Sequence, residues 1–116
     1  MRWTTSQYRE AWDNTYSQCD SDMQDTLDRK LDLLQQYGNL CGRPTTAPLG
    51  DGIFELRAKD ARMLFYFGEQ REIVFVHGLI KKTRNVPRAD IDRAKKNRTE
   101  NQLSRKNKRR KNDYVN

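Results

Sequence analysis

The chain has 116 residues, 34% of them hydrophobic, which is enough for one small domain with a modest core and too few for two. Its formal charge of +7 is unevenly spread: residues 1–92 hold 13 Lys/Arg against 14 Asp/Glu, while residues 93–116 hold 10 against two. That split reads as a near-neutral body, residues 1–100, followed by a basic end, residues 101–116, and it points to a polyanionic partner. Cys19 and Cys41 lack the CxxC or Cys/His spacing of a zinc site and are too few for a disulfide scaffold, so they read as reduced thiols. The longest apolar runs, MLFYF and IVFV, fall far short of a membrane span, and no stretch reads as a signal peptide. The expected location is the cytoplasm.

Arg2–Thr5 offers a short first strand. Tyr8, Ala11, Trp12, Thr15, Tyr16 and Cys19 then recur at helical period, which predicts a helix from about Ser6 to Gln18. A longer helix is predicted from Ser21 to Gly38: Ser21 and Gln24 fit a capping box, Met23, Leu27, Leu31 and Leu34 share a face, and Gly38 sits where a left-handed cap is wanted. Together the two form an αα-hairpin with one apolar side. After the loop CGRPTTAPLGDG the period changes to two. Ile53–Arg57, Arg62–Phe67 and Glu72–Ile80 read as strands, joined by AKDA and GEQR into an antiparallel meander. Pro87 fits the first turn of another helix, with Ile91 and Ala94 as its narrow apolar stripe. Beyond Leu103 no core former appears until Tyr114, so residues 101–116 are expected to be a solvated, disordered tail.

The predicted class is α+β: a helical hairpin on one face of a mainly antiparallel sheet of three to four strands, a C-terminal helix, and the other sheet face partly open. Strand parity puts Arg62, Leu64 and Tyr66 on one face and Met63, Phe65 and Phe67 on the other, under the helices. Arg57 points away from Phe54 and Leu56, and it can pair with Glu55 or with Asp60. His77 shares the parity of Phe75 and Lys81 unless a bulge at Gly78 breaks the count.

The run LGDGIFELRAKDARMLFYFGEQREIVFVHGLIKKTRNVPRADIDRA, preceded by LDLLQQYGNLCGRP, resembles the RelE/ParE toxin superfamily and most closely its HigB-like, phage-derived branch. The features that match, in order, are GRP, D-G, E-L-R, the arginine before LFYF, HG, KKT and the proline that opens an acidic-apolar helix. The resemblance spans residues 6–96. It implies a RelE-like domain and the toxin of a type II toxin–antitoxin pair, an endoribonuclease that cleaves mRNA, often on the ribosome, and is silenced by a small helix-turn-helix antitoxin. By position it makes Arg57, Arg62, Lys81 and Lys82 the candidates for substrate contact, with His77 and Arg84 beside them. Lys95 and Lys96 on the following helix join Arg57 and Arg84 as RNA-binding candidates. Two positions depart from the pattern: Leu79 stands where an aromatic residue is common, and Val86 where a threonine usually caps the helix.

RNA carries its own nucleophile in the 2′-hydroxyl, so the chemistry calls for alignment and charge stabilisation, and no metal or small-molecule cofactor is expected. An arginine stays charged and can donate twice to a phosphate, which suits Arg62 to transition-state stabilisation. Either Lys81 or Lys82, crowded by other cations, is the expected general base, with His77 as the alternative. A single histidine excludes a two-histidine mechanism. Asp51, Glu55 and Asp60 form no metal-binding motif, and the basic tail can attract RNA without sequence preference. Two other readings fit the same residues: a non-enzymatic ParE-like toxin that occupies DNA gyrase, and an inactive basic RNA-binding relative.

Overall fold

Six consecutive residues from Ala61 to Tyr66 are buried, which requires that both faces of their strand be covered. The computed structural model describes the backbone of residues 2–115 and the side chains of residues 2–108. Its elements are β1 (Thr4–Gln7), α1 (Ala11–Tyr16), α2 (Ser21–Tyr37), a 3-10 turn (Gly38–Leu40), β2 (Thr46–Gly50), β3 (Ile53–Ala58), β4 (Ala61–Gly68), β5 (Glu72–Ile80) and α3 (Arg88–Val115). The strands form one sheet in the order β1-β5-β4-β3-β2, with β4 at its centre.

The three strands of the predicted meander are present, the short first strand expected at Arg2–Thr5 lies two residues later as β1, and β2 brings the sheet to five. β2 pairs antiparallel with β3 at one edge. Its sequence, TAPLG, reads as loop because Pro48 and Gly50 oppose strand structure; an edge position tolerates the proline's missing N–H. β1 pairs parallel with β5, from Thr4 opposite Glu72 to Gln7 opposite Phe75, so the sheet is mixed. Ser6 and Gln7, predicted to open the first helix, belong to this strand, and α1 shrinks to six residues. Gln7 nevertheless serves the helix: its Oε1 accepts the backbone N–H groups of Trp12 and Asp13 at 3.0 and 3.1 Å. α2 starts where predicted, but its cap is Asp20, whose carboxylate accepts the Met23 N–H at 2.8 Å. With the cap at Asp20, Met23 and not Gln24 holds the third helical position, so no capping box closes, and the Gln24 amide donates to the Tyr16 carbonyl instead.

One face of the sheet carries Met63, Phe65, Ile73 and Phe75, covered by Leu27 and Leu34 of α2 and by Trp12 of α1. The Trp12 and Phe75 rings lie 4.8 Å apart. The opposite face carries Ile53, Leu64, Tyr66, Val74 and Val76 around Ala94 of α3. This second layer corrects the expectation of a partly open face: α3 lies across it.

β5 contains a bulge. Leu64 pairs with His77 and Phe65 with Phe75, so Val76 is an extra residue with no partner of its own. His77 therefore leaves the parity of Phe75 and joins Leu64 on the α3 face. The break comes two residues before Gly78. The unpaired Val76 carbonyl accepts a hydrogen bond from the Asn97 amide of α3 at 2.7 Å.

α3 starts directly after Pro87, and its backbone stays helical through the stretch where the sequence predicts a solvated tail. Lys, Arg and Gln are good helix formers, so charge alone does not end a helix. Asn101 donates to the Tyr66 hydroxyl at 2.8 Å, and Arg105 forks onto the two Glu72 oxygens at 2.5 and 3.0 Å. The side chains from Arg109 to Asn116 lie outside the described residues. No helix among those described is long and apolar enough to cross a membrane.

Two outcomes test this packing. A Cβ on Gly78 would lie 2.2 Å from the buried Thr15 hydroxyl of α1, so Gly78→Ala should cost about 1–3 kcal/mol in urea unfolding. The Arg105 hydrogen bonds hold the Glu72 carboxyl below its usual pKa, against the desolvation that raises it. Stability from this contact is complete above the unfolded carboxylate value of about 4.3 and is lost as pH falls through the lowered folded value. Arg105→Gln should therefore lose up to about 1 kcal/mol at neutral pH, the half-exposed pair being screened, and the difference from wild type should vanish in acid.

Candidate active site

Arg57 and Arg62 are register partners on β3 and β4, and two guanidiniums placed directly opposite repel. Glu55, two residues before Arg57 on the same face, answers both. Its Oε1 lies 3.4 Å from Arg57 Nε and 3.8 Å from Arg62 Nε. Arg62 is only 4% exposed and Glu55 8%, so these two are largely removed from water. Arg62 Nη1 donates to the Lys59 and Ala61 carbonyls at 2.5 and 2.9 Å, which commits both of its protons to the β3–β4 turn. With Nε turned to Glu55, Nη2 is what remains for a ligand. Burial pulls the Arg62 pKa below the ordinary arginine value; the Glu55 carboxylate opposes that shift and the Arg57 charge adds to it. Arg57 is less enclosed, with 37% of its side chain exposed.

The end of β5 is tied to the same turn, the Lys81 N–H donating to the Asp60 carbonyl at 2.8 Å. Because the Val76 bulge has reset the parity, Leu79 pairs with Arg62, and Lys81, two residues on, faces the same way. The Lys81 ammonium donates to the Arg84 carbonyl at 3.0 Å, folding the following loop back over the strand end. A cleft of about 370 Å³ opens here. Its charged lining is Arg43, Arg57, Arg62, Lys81 and Arg84 against the single carboxylate of Glu55, and its uncharged lining includes Pro48, Leu49, Val86 and Ile91. Five cations to one anion make it a site for a polyanion's backbone. A larger crevice of about 800 Å³ beside the β4–β5 turn is lined by Glu69, Glu72, Arg105 and Lys106, with charges in balance.

Of the residues singled out from sequence, the structure thus gathers Arg57, Arg62, Lys81 and Arg84 in one cleft. The other four lie outside its lining. Lys82 is exposed beyond the strand end. His77 Nε2 lies 2.7 Å from an Asp90 carboxylate oxygen in the first turn of α3, fastening that helix to β5. Lys95 Nζ lies 2.5 Å from Asp51, whose carboxyl it holds below the usual range, and Arg98 donates to the Asp51 carbonyl in the same β2–β3 turn. Lys96 is exposed. Two members of the cleft went unassigned. Arg43 belongs to the GRP stretch of an apparent loop, and only the edge strand β2 brings it alongside. Glu55 could have been found, since it shares strand parity with Arg57. Among the described residues no three His, Cys, Asp or Glu side chains gather into a set able to hold a metal ion.

A five-stranded sheet between a helical pair and a long C-terminal helix, with a cationic cleft at the end of its central strands, describes an α+β domain with a site for a polyanion. The family profile described as Phage derived protein Gp49-like (DUF891) matches residues 16–99, which take in every residue lining that cleft, and the chain belongs to this family. The family falls within the RelE/HigB-like toxin superfamily. No curated protein matches the chain.

The opposed arginines give a direct test. Glu55→Gln should destabilise the fold by about 1–2 kcal/mol, less than for a fully buried pair because Arg57 is partly solvated. Adding Arg57→Gln should recover part of that loss, as a double-mutant cycle of urea unfolding would read.

Proposed function

We propose that the protein is the toxin of a type II toxin–antitoxin pair and that it cleaves messenger RNA in this cleft without a metal ion. The observation that carries the reading is the convergence of Arg57, Arg62 and Lys81 around one carboxylate in a cleft of net positive charge. The 2′-oxygen of the bound ribose attacks the adjacent phosphorus as the bond to the 5′-oxygen of the next nucleotide breaks, leaving a cyclic phosphate and a 5′-hydroxyl. Charge grows on the phosphoryl oxygens during that step. Arg57 and Lys81 hold the phosphate, and Arg62 Nη2 stabilises the developing charge from the cleft floor, where low dielectric strengthens it. Glu55 is the lining carboxylate able to take the 2′-hydroxyl proton, and the Lys81 ammonium can give one to the departing oxygen. His77, bound to Asp90, acts by holding α3 in place. Lys96 and Arg84 offer outer contacts to RNA. In the resting cell a helix-turn-helix antitoxin covers the cleft, and the ribosome presents the message in the cytoplasm.

The burial of Arg62 favours one competing reading, a toxin that only occupies its target, such as DNA gyrase, with Arg62 serving the fold. Purified protein incubated with mRNA, free and on translating ribosomes, in the presence of EDTA separates the two, with gyrase supercoiling assayed in parallel. Arg57→Ala combined with Lys81→Ala should lower cleavage by about 100-fold or more, the scale of a lost oxyanion donor. Lys82→Ala should leave it nearly unchanged. RNA left intact in both settings, or full cleavage by the double variant, would overturn the proposal.

A further inference from the structure

The cleft has an uncharged side that the cleavage chemistry does not use. Arg57 and Arg62 come from the strands flanking the β3–β4 turn, Lys81 and Arg84 from the end of β5 and the loop after it, and Arg43 from the loop before β2; Leu49 comes from the edge strand β2, Val86 from the residues before α3, and Ile91 from the first turn of that helix. All three aliphatic residues are half-buried. Leu49 and Val86 rest on the core cluster around Ile53 and Ala94, so the wall has firm backing. Among the described residues no aromatic ring lines the cleft. Phe54, Phe65, Phe67 and Phe75 pack against one another, Tyr66 is held by Asn101, and Tyr8 by Glu100. At about 370 Å³ the space lies near the lower end for small-ligand pockets, room for one nucleotide rather than a stack of bases.

We propose that this cleft is a single-nucleotide subsite: a phosphate rests among Arg57, Arg62 and Lys81 while the attached base lies against Leu49, Val86 and Ile91, with no preference for which base it is. The proposal rests on the RNA-cleavage reading for its ligand class. An aliphatic wall gains from drawing any base out of water but offers no hydrogen bonds to tell one from another. Selective readout of single-stranded RNA uses hydrogen bonds to base edges, since stacking alone is tolerant of sequence. Asn85, the amide in the lining, is exposed, where water competes for its hydrogen bonds. Charge thus fixes the backbone, and the wall fixes the base without reading it.

Calorimetric titration at low salt with AMP, CMP, GMP, UMP and ribose 5-phosphate tests this on the full chain. The four nucleotides should bind about tenfold more tightly than the sugar phosphate, a difference of about 1.4 kcal/mol, and within about threefold of one another. Leu49→Ser should bring the nucleotides down to the level of ribose 5-phosphate and leave the sugar phosphate unchanged. Val86→Ser, at a site outside the sheet, should do the same if the first variant folds poorly. Ribose 5-phosphate binding as tightly as the nucleotides, one base favoured by more than about tenfold, or no binding of any probe would each overturn the subsite. RNA cleavage is assayed separately. Cut RNA with no gain from the base sinks the subsite alone, whereas nucleotide binding of the expected pattern with RNA left intact supports the subsite and sinks the nuclease.

Discussion

An extra residue in β5 has to be accommodated between Phe75, which pairs with Phe65, and His77, which pairs with Leu64. The strand bulges at Val76, and from that point its side chains change faces. Phe75 stays under the helical pair, while His77, Leu79 and Lys81 turn to the side that carries Leu64 and Arg62. Without this shift Lys81 would emerge on the opposite face from Arg62. The bulge also frees one carbonyl in a buried place, and a buried carbonyl needs a donor. Asn97 supplies it, so one local irregularity both points the cations together and fixes where α3 crosses the sheet.

Electrostatics set a second condition. Arg57 and Arg62 stand opposite each other in the ladder, and Arg62 is buried, an arrangement that would be costly without an answering charge. Glu55 bridges them, and the Lys59 and Ala61 carbonyls take two of the Arg62 protons. A guanidinium pair, its Arg62 member desolvated, is thereby kept in the cleft and already oriented. Preorganised charge of this kind is what phosphoryl chemistry uses, because little reorganisation is left for the moment of reaction.

α3 is the most charged element of the chain, yet part of it behaves as a core helix. Ala94 is fully buried against Val74 and Val76, while His77 to Asp90, Asn97 to Val76, Asn101 to Tyr66 and Arg105 to Glu72 attach the helix at successive turns. Small and polar contacts do here what an apolar stripe does on α2. Lys95 and Arg98 are committed to the β2–β3 turn, so a count of cations along this helix overstates what is free to meet a polyanion.

The sequence by itself determined the β3–β5 meander, the span of α2 and the start of α3 after Pro87, because side-chain period, short turns and proline are local signals. Through the family resemblance it also put forward Arg57, Arg62, Lys81 and Lys82 as one group with His77 and Arg84 beside them, of which the cleft takes in Arg57, Arg62, Lys81 and Arg84. Only the tertiary structure decided that Ser6 joins a parallel strand, that TAPLG is an edge strand carrying Arg43 to the cleft, that β5 bulges at Val76, and that Lys81 and not Lys82 faces Arg62. Each of these depends on pairing or packing between residues far apart in the chain, for which neither period nor composition leaves a mark. The covering of the second sheet face by α3 is hidden for the same reason: its hold on the sheet is made of single hydrogen bonds and one alanine, and no hydrophobic pattern announces them.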